Sequence, residues 1–522
     1  MMLKFSLPRE AGPLGWEWKR GQWQCGRDWI GPLTHTALEA RSVTNGTELL
    51  FVVRERAQLP SLMAGTGPVR VDQAAYDKAL AEARTWPLQA VWIEVTGSTV
   101  RIETGLGGVC PLYLATDERR ERLIGSWELT EVRDAVAADD LNEEEVARWL
   151  ADRQCYGRAT MFSAVQRLTE RSTARFDRNG LRLLCPRQTE PAQMTPVSED
   201  ADAVSAFEEL TAGILDRRPT AATLTAAQLT GGLHSTNVAL SMALAHPGAV
   251  TACALLGGGP GSQEAVRRRE VIRRAGVFDA DCTVAVSQYP PLHPAGGRRQ
   301  ESERVSPLEG PYAEAAGVLA DRLAERGITQ VLTGYGGTEA FRPGAQPRTG
   351  ASQERPDWWG PRMRALLGHE PAKTTTPPTV APESALRALA AATPLLARRE
   401  LWTLAPYTAP HMIEFGRQLP DVWKRNTGLL HQRLTRLGLR GEDLRPPYRL
   451  NLAPQLDRAI HRHAVPLLRD WGPDLYLIAE GYLNAAGFAQ IVERAAAGPE
   501  HAAPYGKVLY RAAAIELAQR AL

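Results

Sequence analysis

Lysine is scarce in this 522-residue sequence: only six of the 61 basic residues are lysines, and the rest are arginines. With 59 acidic residues the formal net charge is +2, which gives no electrostatic argument for binding nucleic acid or a membrane surface. The arginine-rich stretches RRRE (267–270) and RRQESER (298–304) are interpreted as solvated faces, with an anion-binding role as the alternative. We therefore expect neither a nucleic-acid nor a membrane partner.

Cysteines and long hydrophobic runs are also scarce. The six cysteines show neither C-x-x-C nor C-x-H spacing, which argues against a zinc site and against a disulfide framework. No window of about 18 uncharged apolar residues is present, so we expect no membrane-spanning helix. The first 16 residues lack a long apolar stretch, so we expect no signal peptide and a cytoplasmic protein.

Short β-rich segments dominate residues 1–186 and predict an N-terminal domain of layered sheets. The predicted strands are 48–53, 89–95, 98–103, 111–116 and 122–127. NEEEVARWLADRQ (142–154) has the apolar period of a helix, and residues 171–184 predict a hairpin closed by Asn179-Gly180. The polar, proline-containing stretch 187–202 is the predicted linker to a second domain.

Strands and helices alternate in the second domain, which we place at 203–522. The predicted elements are a helix (203–215), a strand (222–229), a helix (235–245), a strand (249–256), helices (263–275 and 312–326) and a strand (329–334). This alternation is typical of a parallel sheet covered by helices on both faces. Residues 342–359 are predicted to form a long mobile loop in which Trp358 and Trp359 either line a cleft or pack. The stretch 380–522 is predicted to be mainly helical.

Two similar glycine-containing stretches carry the functional interpretation. AAQLTGGLHSTNVALSMALA (226–245) predicts a strand end, a Gly-Gly turn and a helix, and TQVLTGYGGTEAF (329–341) repeats that layout. Backbone N–H groups at such a helix N-terminus favour an anion, and the glycines allow phosphate oxygens to approach closely. Neither stretch has the spacing of a Walker loop or of a dinucleotide fingerprint. Taken alone, each stretch is also compatible with a simple turn that binds no phosphate.

Together the two stretches resemble the paired signatures of the asparagine-synthetase-type synthetases. In that family the first loop, S-G-G-x-D-S, holds the pyrophosphate of ATP, and the second, G-x-G-x-D-E, lies across the sheet crevice. Three further segments resemble the family in the expected order, namely GVCPLYLATDERRERLIGSWELTEV (108–132), PYTAPHMIEFGRQLP (406–420) and LLHQRLTRLGLRGEDLR (429–445).

The resemblance, which spans about residues 100–450, implies both fold and cofactor. It implies an α+β, Ntn-hydrolase-like N-terminal domain that is a degenerate glutaminase. It further implies an α/β ATP-pyrophosphatase-like domain with a helical C-terminal part. By position in the motifs, the residues implied to bind ATP are Thr230, Gly231, Gly232, Ser235, Thr236, Gly334 and Gly336.

Position 2 points to one branch of the family. Glutamine-using members have a cysteine immediately after the initiator methionine, whereas this chain has Met2 and its nearest cysteine is Cys25. This departure resembles the β-lactam synthetases and the macrolactam cyclases of lasso peptides, in which an internal amine attacks an adenylated carboxylate. Tyr335 matches the tyrosine of the β-lactam synthetases, and Glu370 has the best spacing for its partner carboxylate. The alternative is that Tyr335 packs in a turn and Glu370 caps a loop.

Three departures from the family pattern concern the catalytic machinery. His234 and Thr338 stand where the family has the acids that bind Mg²⁺, while Glu339 is retained as a possible metal ligand. The family's late lysine falls near Leu429, and Lys424 is the nearest replacement. His234 is a hydrogen-bond donor to a phosphate, an acid–base group or a passive replacement after loss of metal binding.

These observations leave two functions open. The first is an ATP-dependent cyclase that forms a lactam or macrolactam, with a small molecule or a peptide as substrate. A peptide substrate implies a precursor peptide and leader-processing proteins as partners. The second is a catalytically degenerate family member that binds a peptide or a partner protein.

Overall fold

The computed structural model describes residues 2–57, 67–137, 140–186, 198, 201–219, 221–258, 262–300, 306–341, 355–367, 380–439 and 451–520. The predicted linker lies almost entirely outside these residues, so the domain boundaries stay predictions. None of the described helices is long and apolar enough to cross a membrane.

The first 186 residues form two mainly antiparallel sheets, each of seven strands over the described part. In chain order the strands are β1 (Lys4–Pro8), β2 (Glu17–Lys19), β3 (Gln22–Cys25), β4 (Asp28–Gly31), β5 (Leu38–Thr44), β6 (Glu48–Glu55), β7 (Val69–Arg70), β8 (Ala90–Thr96), β9 (Thr99–Thr104), β10 (Leu112–Thr116), β11 (Arg122–Ser126), β12 (Gln166–Leu168), β13 (Thr173–Asp177) and β14 (Gly180–Leu184). The first sheet has the order β12-β10-β11-β1-β4-β3-β2, and the second has the order β14-β13-β9-β8-β6-β5-β7.

The two sheets pack face to face. Alternate residues of their strands are buried, as expected for strands with one apolar face. Trp23 of the first sheet lies against Phe51 of the second, with ring centroids 5.0 Å apart. Helix α1 (Gln73–Arg84) covers the outer face of the second sheet, where Tyr76 packs in one cluster with Trp92. This layered arrangement confirms the mixed, sheet-rich N-terminal part predicted from the sequence.

The predicted hairpin is present, but its turn lies one residue earlier than expected. Asp177 pairs directly with Gly180, so Arg178 and Asn179 form the two-residue loop. Gly180, with φ of 88°, is the first residue of β14. The Asp177 side chain accepts a hydrogen bond from the Asn179 N–H at 2.8 Å, which stabilises this turn.

Two short helices, α2 (Leu129–Ala135) and α3 (Glu143–Leu150), follow strand β11 of the first sheet. Asn142 caps α3 by accepting a hydrogen bond from the Glu145 N–H. Both helices pack with the C-terminal helices into a second apolar cluster on the outer side of that sheet.

The second part of the chain contains a five-stranded, wholly parallel sheet of the order β17-β16-β15-β18-β19. In chain order its elements are α4 (Ala203–Asp216), β15 (Thr225–Gln228), α5 (Leu233–Ala245), β16 (Val250–Leu256), α6 (Gln263–Ala275), β17 (Phe278–Ala285), α7 (Ala313–Glu325), β18 (Gln330–Leu332), α8 (Gly337–Ala340), α9 (Pro361–Leu367), α10 (Glu383–Ala397), β19 (Trp402–Leu404), α11 (Pro410–Gln418), α12 (Asp421–Lys424) and α13 (Gly428–Arg436). The predicted strand–helix alternation is confirmed, whereas the edge strands β17 and β19 were not predicted.

The C-terminal residues are helical, as predicted. The remaining helices are α14 (Ala453–Ala459), α15 (Val465–Trp471), α16 (Tyr476–Ala479), α17 (Ala485–Ala496), α18 (Pro499–Ala502) and α19 (Gly506–Arg520). Buried residues of α15, α17 and α19 form the second apolar cluster together with α2 and α3. The C-terminal helices therefore cover the outer side of the first N-terminal sheet rather than extending the parallel sheet.

Candidate functional site

The strand order places two loops side by side at the carboxyl edge of the parallel sheet. β15 is central, and its neighbours β16 and β18 lie on opposite sides of it. The chain therefore leaves β15 and β18 at the point where the strand order reverses. In open α/β sheets the crevice outside the carboxyl ends of the strands at such a point is the usual ligand site.

The first glycine turn, residues 230–232, is closed by hydroxyl groups. The Thr230 and Ser235 hydroxyl oxygens are 2.9 Å apart, and the Ser235 hydroxyl donates to the Gly232 carbonyl at 3.1 Å. Gly231 has φ of 81°, a conformation that residues with side chains rarely adopt. Gly232 is the residue immediately before the 13-residue helix α5, which begins two residues earlier than predicted. Thr236 is buried, and its N–H donates to the Gly232 carbonyl at 3.0 Å.

The second glycine turn, residues 334–337, lies in direct contact with the start of helix α5, which follows the first turn. A Cβ atom added to Gly334 would lie 3.0 Å from the backbone nitrogen and Cα of Ser235. Gly336 has φ of 87°, and a Cβ atom there would lie 2.9 Å from the Thr408 methyl carbon. The first close approach packs the second turn tightly against Ser235 of α5, and the second packs it against Thr408. Glycine turns at adjacent strand ends, one of which opens a helix, fit the phosphate groups of a nucleotide.

His234 lies between the two turns. Its half-buried ring packs on Gly337, where an added Cβ atom would lie 2.6 Å from His234 Cδ2. The Tyr407 hydroxyl donates to the His234 carbonyl at 3.1 Å, and the two rings meet edge to face with centroids 5.9 Å apart. The site therefore includes His234, as the sequence predicted, in a position that also packs the second turn.

Tyr335 is positioned by the strand before the first turn. Its hydroxyl forms a hydrogen bond with the Gln228 side chain, and burial raises the pKa of the phenol above its usual value. Tyr335 is therefore a neutral hydrogen-bonding group at neutral pH. Its predicted partner Glu370 lies outside the described residues, so the proposed pairing stays a prediction.

The side chains at the predicted metal positions do not match the donor set of Mg²⁺. Glu339 accepts a hydrogen bond from the Ser384 hydroxyl at 2.6 Å, and Thr338 is exposed. His234 offers an imidazole where Mg²⁺ prefers carboxylate oxygens in an octahedral shell. Across the residues that the structure describes, there is no group of three or more His, Cys, Asp or Glu side chains placed to bind a metal ion.

The candidate lysine lies on a different element from the turns. Lys424, at the end of α12, is buried and donates from Nζ to the Arg417 carbonyl of α11 at 3.3 Å. Leu429, at the predicted position of the family lysine, is a core residue of α13. Arg433, one turn further, donates to the Asn237 carbonyl of α5 at 2.7 Å. α13 therefore supports the helix of the first turn, and a catalytic role of Lys424 stays a prediction.

Two arginines of helix α6 belong to the surroundings of the first turn, although the sequence indicated only a solvated face. Arg268 is 1% exposed, so that interpretation is wrong for this residue. It donates from Nε to the Leu229 carbonyl at 2.6 Å and forms a two-point ion pair with Asp281 of β17. The stem of Arg267 lies against Gly231, with its Cδ 3.8 Å from the position of an added Cβ atom. No local sequence pattern signals these contacts, because a whole strand separates α6 from the turn.

A large cleft formed by described residues lies away from these turns. It has a volume of about 570 Å³ and lies between residues 356–359 and the helices α3, α17 and α19. Trp358 and Trp359 both line it, and Trp359 is also buried in the second apolar cluster. Most of the predicted loop 342–359 lies outside the described residues. No residue of the two glycine turns lines this cleft.

Comparison with known proteins agrees with the site's geometry. The asparagine synthase family matches residues 206–499, a range that contains both glycine turns and all five strands of the parallel sheet. No individual curated protein matches the sequence. The family comprises ATP-dependent amidotransferases and ligases, which agrees with a phosphate-binding crevice at this position. Since the match covers more than half of its residues, the chain belongs to the asparagine synthase family.

Proposed function

We propose that this protein is an ATP-dependent ligase that closes a lactam or macrolactam within one substrate molecule. The observation that carries the proposal is the tight packing of the second turn on the start of α5, where a Cβ atom on Gly334 would lie only 3.0 Å from the backbone of Ser235. If the protein bound no nucleotide in this crevice, there would be little reason for it to retain both glycine turns. ATP would supply the activation of a carboxylate, with release of pyrophosphate, and the amine of the same molecule would then form the amide bond as AMP leaves.

The amine is proposed to come from the substrate and not from glutamine. Met2, at the position of the family's nucleophilic cysteine, is buried beside the central strand β1. Burial raises the pKa of the thiols of Cys25 and Cys110, the two cysteines closest to it in sequence, so neither is a thiolate at neutral pH. Neither of these two thiols therefore supplies the thiolate that would open the amide of glutamine.

The substrate class is proposed from the branch that Tyr335 resembles. A phenol hydrogen-bonded to Gln228 beside the crevice is suited to orient an attacking amine. Substrates of this branch carry the carboxylate and the amine in one molecule, either an amino acid derivative or a ribosomal precursor peptide. A peptide substrate would bring leader-processing proteins as partners in natural-product biosynthesis.

A second candidate function is a non-catalytic peptide- or partner-binding protein. It is favoured by the altered metal positions, because Thr338 carries no charge and the retained Glu339 is already bonded to Ser384. In this case the glycine turns would remain for folding alone.

Mass spectrometry of a peptide pool separates the two candidates. The purified protein is incubated with ATP and unprotected peptides that contain acidic side chains, and a matched pool with acetylated amines serves as the control. The proposed ligase forms AMP and pyrophosphate together with peptides that have lost one water, and only in the unprotected pool. Glutamine added alone should yield no glutamate. ATP binding without AMP in either pool would favour the non-catalytic candidate.

A further inference from the structure

We propose that Arg267 binds the phosphate chain of the nucleotide at the first glycine turn and supplies there the positive charge that a magnesium ion supplies elsewhere. The proposal rests on the function proposed above and adds a nucleotide site that does not depend on Mg²⁺. It rests on three features: the packing of α6 on the turn, the different environments of three consecutive arginines, and the charge balance of the crevice.

The first turns of helix α6 pack directly on Gly231. The Glu264 carbonyl oxygen lies 3.5 Å, and Arg267 Cδ 3.8 Å, from the position that a Cβ atom on Gly231 would occupy. The Glu264 carboxylate accepts a hydrogen bond from the Gly258 N–H at 2.9 Å, which connects α6 to the loop after β16. The stem of Arg267 therefore runs along the glycine turn, and its guanidinium lies one bond beyond the carbon in contact.

The neighbouring arginines show that this placement is specific. Consecutive residues on a helix point about 100° apart, so Arg267, Arg268 and Arg269 face different surroundings. Arg268 points into the protein and bonds the Leu229 carbonyl, the last backbone acceptor before the turn. Arg269 is exposed to solvent, whereas Arg267 is half-buried. Because Arg268 is bound to both Leu229 and Asp281, helix α6 is held in register with the strand that precedes the turn.

The charge balance of the crevice requires a cation. A triphosphate brings several negative charges, and of the side chains at positions 234, 338 and 339 only Glu339 carries a carboxylate that could balance the charge of Mg²⁺. An arginine remains protonated at every physiological pH, and its planar group bonds two phosphate oxygens at once. Among the described residues, Arg267 is a cationic side chain in contact with Gly231 of the first turn.

Calorimetric titration with ATP tests this proposal in the full-length protein. Wild type is titrated in excess Mg²⁺ and in EDTA, and the variants Arg267→Met, Arg267→Lys and Arg269→Met are titrated in EDTA. We expect the wild-type Kd to agree within about twofold in the two buffers. Loss of one charge-assisted phosphate contact weakens binding about ten- to hundredfold in Arg267→Met. Arg267→Lys should retain part of the affinity, and Arg269→Met all of it.

Three outcomes would overturn the proposal, and each has a different consequence for the role of Arg267, for the metal-independent site or for the proposed function. If wild type binds ATP and Arg267→Met binds equally well, Arg267 has no such role, while the proposed function stands. If wild type binds only with Mg²⁺, the metal-independent site is wrong. If wild type does not bind ATP in either buffer, the proposed function fails as well. Circular dichroism and the thermal midpoint of each variant show whether a loss of binding reflects misfolding.

Discussion

Tyr335 determines at the residue scale which chemical step the site can assist. Its phenol is buried, its pKa is raised, and it is bonded to Gln228 on the strand of the first turn. A neutral phenol orients a substrate amine through a hydrogen bond, and it accepts a proton only if a further group relieves the cost of its charge. Activation of the substrate carboxylate by ATP requires neither the orientation of the amine nor the acceptance of a proton. Tyr335 should therefore matter after ATP has reacted.

Replacement of Tyr335 by phenylalanine should separate these two steps. We expect ATP affinity and pyrophosphate exchange of Tyr335→Phe to stay within about threefold of wild type, because the ring still packs and the turn is unchanged. Formation of the cyclic product should fall by about a hundredfold or more, as is usual for loss of a group that takes part in proton transfer. Pyrophosphate exchange and product formation are measured side by side with a cyclised peptide. Equal loss of both would place Tyr335 in nucleotide binding instead.

Single residues also mark the limit of sequence-based prediction at this site. The glycines, Ser235, Tyr335 and His234 were predicted, because a motif with local spacing specifies them. Arg268 was misassigned to a solvated face, because its burial depends on Asp281 in β17 and on Leu229, which directly follows β15. Such long-range contacts leave no periodic signal in the residues around them.

The second turn is positioned at the element scale by a helix-on-helix contact. The short helix α8 begins directly after Gly336, and α11 crosses it at Gly416, where a Cβ atom would overlap the Ala340 carbonyl. Phe341 packs edge-on against Phe415 beside this crossing, with centroids 6.4 Å apart. Any outward movement of α8 would shift the glycine turn to which it is joined.

A methyl group at Gly416 should therefore act on both stability and binding. We expect Gly416→Ala to lower the free energy of unfolding by about 1–3 kcal/mol, because the added methyl overpacks a backbone contact. ATP affinity should also fall, since α8 moves the second turn. Urea denaturation and ATP titration provide the two readouts.

The matched control for Gly416→Ala is Gly213→Ala in helix α4, where an added Cβ atom meets nothing within 4 Å. That variant should be as stable as wild type or about 0.5–1 kcal/mol more stable, because alanine favours a helix over glycine. If Gly416→Ala behaved like this control, the close crossing of α8 and α11 would be refuted.

Elements with strong local patterns were predicted well, and edge elements were not. The sequence predicted α6, the strands β6, β8 and β9, and the strands β15, β16 and β18 within a few residues, because apolar periodicity follows from burial on one or two faces. The strand β1, at the centre of the first sheet, was not predicted. β17 has aspartates at positions 279 and 281 and was missed, since its polar residues conceal the strand pattern. β19 has three residues, too few for a period to be read.

Two buried glutamates make the contact between the N-terminal sheets and the rest of the molecule sensitive to pH. Burial raises the pKa of Glu128, which faces Arg398, to about 7. Burial also raises the pKa of Glu170, whose carboxylate accepts a hydrogen bond from the Val380 N–H, to about 7. Both residues come from the N-terminal part and both partners from the region around α10. The folded protein therefore retains protons that the unfolded chain has already lost between about pH 4.5 and 7.

The free energy of unfolding should consequently fall as the pH rises from about 4.5 to 7. Below about pH 4.5 both states are protonated at these groups, and above pH 7 the full cost of two buried carboxylates is present. Glu170→Gln removes one of them and should make the fall between pH 5 and 8 shallower by roughly 1–3 kcal/mol. Urea denaturation at several pH values measures the slope, with the exposed Glu121→Gln as control. A slope identical to wild type would mean that Glu170 is charged throughout.

The central claim for the whole molecule is that two glycine turns, brought together by the parallel sheet, bind ATP. The most direct measurement is an ATP titration of wild type, of Gly334→Ala and of Gly97→Ala, whose added methyl group meets nothing within 4 Å. The account predicts one ATP per chain in wild type and Gly97→Ala. It also predicts at least about tenfold weaker binding in a folded Gly334→Ala, because the methyl separates the turns. Equal ATP affinity in all three proteins, or no ATP binding by wild type, would contradict it.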